Sequence, residues 1–65
     1  MYNPATRLLT ILELLQSRGT MTAQEIAQVL EVEERSVRRY MLLLRDIGIP
    51  IEGERGRYGG YSLRP

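Results

Sequence analysis

Every basic side chain in this 65-residue sequence is an arginine; there are nine basic residues and no Lys, His or Cys among them or elsewhere. The guanidinium is a planar fork of N–H donors that fits phosphate oxygens and the O6/N7 edge of guanine, so the chemistry on offer is anion and base-edge recognition. The net charge of +1 hides where these groups lie. Residues 35–65 hold seven Arg against Asp46, Glu52 and Glu54, a net +4, whereas residues 1–34 hold Arg7 and Arg18 against five Glu, a net −3. Two clusters stand out: Arg35, Arg38 and Arg39 around Ser36, and Arg55 and Arg57 flanking Gly56 beside Tyr58.

Other chemistries are poorly supplied. Without His or Cys there is no imidazole base, thiolate, disulfide or ordinary zinc set. Glu31, Glu33 and Glu34 cluster at a solvent-facing helix start with no neighbour to tune them as acid or base. The Gly53–Gly60 loop lacks the Gly-Lys-Ser/Thr ending of a phosphate-binding P-loop, and no helix follows it. No catalytic, cofactor-binding or metal-ligating residue is expected, and the chain does not read as an enzyme.

Something must position those arginines, and 65 residues, 43% hydrophobic and 26% charged, are enough for one small fold. No apolar run approaches the roughly 20 residues that span a bilayer. The first residues lack the charge and apolar core of a signal peptide, so a cytoplasmic setting is expected. Asn3-Pro4 reads as a cap and first helical residue. Leu8, Ile11, Leu12 and Leu15 follow at helical spacing to a stop at Gly19, giving a first helix over about Pro4–Ser17. Leu9 and Leu14 widen its apolar stripe and predict cover on more than one side. Met21 leaves room for only a residue or two of extended chain. Thr22-Ala23-Gln24-Glu25 is a capping box that opens a second helix over Ala23–Leu30, with Ile26, Ala27, Val29 and Leu30 as its apolar set.

After the short Glu31-Val32-Glu33 connection, Val37, Met41 and Leu44 recur at i, i+4 and i+7, predicting a third helix over about Glu34–Ile47. At about 100° per residue these three fall within about 60° of one another, and Arg35 and Arg39 point away from them. Ser36 and Arg38 take the flanks. Beyond Pro50 the period shortens to two, and Ile51–Leu63 reads as a β-hairpin around a Gly-rich loop bearing Arg55, Arg57 and Tyr58. The expected architecture is mainly α with a small hairpin: a three-helix winged helix-turn-helix, whose third helix enters the major groove of double-stranded DNA. Thr22 and Gln24 can offer groups to phosphate, and Glu34 can accept from cytosine N4. Leu42 and Leu43 fall off the core face, which predicts cover by a dimer mate or a neighbouring domain. Arg64-Pro65 is a natural place for a linker to begin.

Arg7-Leu8-Leu9, Thr22–Ala27, Glu34-Arg35-Ser36-Val37-Arg38-Arg39, Leu44–Ile51 and Gly59-Gly60-Tyr61-Ser62-Leu63 together resemble the N-terminal winged helix-turn-helix of DeoR-like bacterial transcriptional regulators that carry a WYL domain. The biotin-ligase repressor's DNA-binding domain is similar in layout. The resemblance implies DNA contacts from Arg35, Ser36, Arg38 and Arg39, a wing tip at Arg55 and Arg57, and phosphate contacts near Thr22. It further implies a homodimer and a separate domain that senses the effector. Three positions depart from the family pattern. Glu31 stands in the inter-helix turn where Gly is frequent, Glu33 at the cap where Ser is frequent, and Tyr40 where an acidic residue is common. The first bears on the turn geometry, the second removes one phosphate contact, and Tyr40 is left either to meet DNA or to fill the core edge.

Overall fold

The computed structural model describes residues 3–53 and 59–64 of the chain. Helix α1 (Pro4–Arg18), α2 (Ala23–Leu30) and α3 (Glu34–Asp46) precede strands β1 (Ile51–Gly53) and β2 (Tyr61–Leu63). The three helices and the antiparallel two-stranded sheet form a winged helix-turn-helix, mainly helical as the periodicity predicts.

Local chemistry sets the helix ends. The Asn3 side chain accepts from the Thr6 N–H at 2.8 Å, with Pro4 next in line, its missing N–H costing nothing there. At α2 the Thr22 hydroxyl accepts from the Glu25 N–H at 3.1 Å and the Glu25 carboxylate from the Thr22 N–H at 2.8 Å, the complete reciprocal cap. Beyond α3 the chain turns through Gly48 at φ +94°, a left-handed conformation that glycine adopts without a Cβ penalty.

One apolar core joins these elements. Ile11 and Leu15 of α1, Ile26 and Leu30 of α2, Val37, Met41 and Leu44 of α3, and Ile51 of β1 are all buried. Tyr40 is buried with them, so it fills the core edge. Two expectations fail. Leu9 is 62% exposed and Val29 43% exposed, because the core covers a single face of each helix. Leu14 is only half-buried against that core, and Tyr61 and Leu63 are likewise half-buried.

The sheet pairs Ile51 with Leu63, Glu52 with Ser62 and Gly53 with Tyr61. Met21 adds a one-residue bridge to Tyr61 through N–H···O bonds of 3.0 and 2.7 Å, so the hairpin is stitched to the segment that leads into α2. Gly60 permits that approach: a Cβ there would stand 2.7 Å from Thr20 Cγ2 and 3.2 Å from the Met21 carbonyl oxygen. The Arg45 Nε donates to the Ile51 carbonyl at 3.1 Å and ties the end of α3 to β1. Among the described residues, no helix is long and apolar enough to cross a membrane.

Candidate nucleic-acid interface

The α2–α3 connection determines how α3 is presented. It turns at Glu31, which sits at φ 58°, ψ 46°, the one non-glycine residue with positive φ among the described residues. A side chain in this region costs roughly 1 kcal/mol relative to glycine. The turn closes when the Val32 N–H donates to the Ala27 carbonyl at 3.1 Å. The chain then enters α3 through Glu33, whose side chain makes no capping bond.

With Val37, Met41 and Leu44 buried, the opposite face of α3 is turned outward. Arg35, Arg38 and Arg39 are exposed and Ser36 is half-buried. Arg35 Nε donates to Glu33 Oε2 at 2.8 Å, and Arg38 Nη2 to Glu34 Oε1 at 3.3 Å. Side-chain exposures of 84% and 67% in the first pair, and 58% and 46% in the second, put both in solvent, where an ion pair contributes little. A stronger anion can therefore displace either carboxylate. Arg39 makes no ion pair among the described residues; its guanidinium lies 5.9 Å from the centroid of the Tyr40 ring.

The fold gathers several of the residues singled out by sequence. Arg35, Ser36 and Arg39, with Glu33, line one shallow depression on α3. Gln24 and Glu34 line another, which runs along α2 past Ala27 and Gln28 to the inter-helix turn and the start of α3. Thr22 is half-buried and committed to its cap. Arg55, Arg57 and Tyr58 lie outside the described residues. Leu42 and Leu43 are 58% and 42% exposed. They occupy different stripes: Leu42 stands one turn beyond Arg38, whereas Leu43 pairs at i+4 with Ile47, itself 69% exposed.

Sequence reading passed over Arg7. Its Nη1 donates to the Tyr40 hydroxyl at 2.8 Å, across 33 residues of chain, and its Nε is buried without a partner among the described residues. A signal was present, since Arg7 is a cation in the first turn of a helix that has no acidic residue there to offset it.

This arrangement, a capped helix, a tight turn and a second helix with an arginine-bearing outer face, is suited to inserting that face into an anionic groove. The chain matches the family model described as "HTH domain" over residues 7–62. No solved structure gives a significant match to it.

Proposed function

The chain belongs to this HTH domain family of DNA-binding helix-turn-helix modules, and from that premise we propose that it binds double-stranded DNA sequence-specifically as the DNA-reading part of a bacterial transcriptional regulator. The observation that carries the reading is the outer face of α3. There Arg35, Arg38 and Arg39 are solvent-exposed beside Ser36, and the carboxylates that pair with Arg35 and Arg38 among the described residues are exposed and displaceable. In this reading α3 lies in the major groove, Arg35 and Arg38 reach base edges, and Ser36 holds a phosphate, while Thr22 serves the cap of α2. Gln24 and Glu34 sit at the groove margin, and the hairpin carries Arg55, Arg57 and Tyr58 to the backbone or the minor groove.

The finer assignment is to DeoR-like, WYL-domain regulators, working as cytoplasmic homodimers whose effector binds a domain outside this chain. It is supported by the residue pattern from Glu34 to Arg39 and from Gly59 to Leu63. The exposed Leu43 and Ile47 favour a second reading, in which this stripe is a protein interface. Sedimentation of Leu43→Glu separates the two: a shift from dimer to monomer with DNA affinity per subunit retained assigns the stripe to dimerisation alone.

Selection from a random duplex library, followed by a salt titration on the winning sequence, tests the main reading. The expected result is an enriched motif whose log K falls by about 0.9 per phosphate contacted for each decade of salt. Absence of enrichment, with equal binding to unrelated duplexes, overturns sequence-specific recognition.

A further inference from the structure

The seam between α1 and α3 contains hydrogen-bond donors for which the contacts above have no use. Arg7 is half-buried, and one of its nitrogens donates to the Tyr40 hydroxyl at 2.8 Å. Its Nε is buried and unpartnered, and it forms no ion pair among the described residues. Tyr40 is 4% exposed; its hydroxyl oxygen accepts from Arg7, and its own O–H finds no acceptor among the described residues. Arg39 adds a second cation 5.9 Å from the centre of the same ring. The cluster thus holds two guanidinium groups and a phenol, with the phenol oxygen as its one acceptor.

Such a surplus is unfavourable in isolation, because desolvated donors without acceptors forfeit the hydrogen bonds they make in water. The position adds to the imbalance. Arg7 lies in the first turn of α1, where the helix dipole is positive, and no acidic residue of that turn offsets it. What the cluster lacks is an anion with more than one acceptor oxygen.

We propose that Arg7, Tyr40 and Arg39 form a seat for one phosphodiester group of the duplex engaged by α3. The proposal rests on the DNA-binding reading and deepens it. Two non-bridging oxygens can accept from Arg7 and Arg39 respectively, while the Tyr40 O–H donates to either. Tyr40 and Arg39 are consecutive on α3, so a phosphate held there flanks the base-reading side chains and sets the register of the helix along the groove. Arg35 and Arg38 must first release Glu33 and Glu34, whereas Arg7 and Arg39 displace no carboxylate among the described residues.

The test is a salt titration of duplex affinity for the 65-residue chain and its Arg7→Gln, Arg7→Lys and Tyr40→Phe variants, on the selected duplex and an unrelated one. A methylphosphonate scan of the selected duplex accompanies it, neutralising one phosphate at a time. Arg7→Gln is expected to lower the salt slope by up to about 0.9, weaken both duplexes alike and leave their affinity ratio unchanged. Arg7→Lys is expected to restore the slope. One methylphosphonate position is expected to weaken the wild type and to weaken Arg7→Gln distinctly less, since Arg39 still meets that phosphate. A wild-type slope in Arg7→Gln, or a lost affinity ratio at a wild-type slope, overturns the seat and makes Arg7 a structural prop for α3. If Arg7→Gln loses its cooperative melt, Tyr40→Phe, which keeps the ring, decides: its response to that methylphosphonate is blunted if the seat exists and equal to wild type if it does not. A wild-type chain whose duplex binding ignores salt removes both function and seat; one that binds with a slope indifferent to Arg7 and Tyr40 removes the seat alone.

Discussion

The starts of α2 and α3 are finished in opposite ways. At α2, Thr22 and Glu25 exchange two hydrogen bonds, so the side chains that could reach outward are spent on the helix itself. At α3, Glu33 makes no capping bond; instead Glu33 and Glu34 accept from Arg35 and Arg38, and the first-turn N–H groups receive no side chain. The first start is closed and contributes stability. The second gives up a cap and keeps its polar groups available to a ligand, which is the pattern expected where a helix must meet an anion. An identical role in the chain, the first turn of a helix, thus takes different residues according to whether it serves the fold or the partner.

The largest effect is expected at the open start. Arg35→Ala should cost about 1–3 kcal/mol of affinity for the selected duplex and relax preference at one base pair, with the thermal midpoint unchanged. Equal weakening across all duplexes would reassign Arg35 to phosphate. At the closed start the readout moves from binding to folding: Thr22→Ala should remove about 1 kcal/mol of folding stability, measured by urea unfolding, because the Glu25 N–H loses its acceptor. An unchanged midpoint would mean the capping box contributes little here. Between the two starts, Glu31→Gly should stabilise by up to about 1 kcal/mol by relieving the left-handed backbone at φ 58°. Loss of stability would show that the Glu31 side chain makes a compensating contribution. Smallest, Glu33→Ser should add about 0.5 kcal/mol by supplying the missing cap. By freeing Arg35 it should also raise affinity for every duplex at low salt. Gained stability without gained affinity would show that the Glu33 pair does not restrain Arg35.

The helices were legible because their signals are local. Asn3-Pro4, the Thr22–Glu25 box and Gly48 mark ends within a few residues of the groups they satisfy, and the Val37-Met41-Leu44 row orients α3 by periodicity alone. That same row turns Arg35, Arg38 and Arg39 outward through the geometry of a single helix. Legibility failed where a residue's fate depends on what packs beside it. Leu9 and Val29 have the right type and spacing for a core, yet α1 and α2 are each covered on one face only. Tyr40 lies about 60° from Val37 around the helix, a position compatible with core or groove. The neighbouring Arg7 accompanies its burial, with a 2.8 Å bond to its hydroxyl.

The type and order of the elements and the charge of the outer face of α3 follow from local signals, because caps, turns and helical periodicity act over one to seven residues. The bridge from Met21 to Tyr61, the hold of Arg45 on Ile51 and the reach of Arg7 to Tyr40 across 33 residues arise in the folded chain alone. Such pairings depend on the angle at which one helix or strand crosses another. That angle is set by the summed packing of the whole core and is encoded in no single stretch of chain.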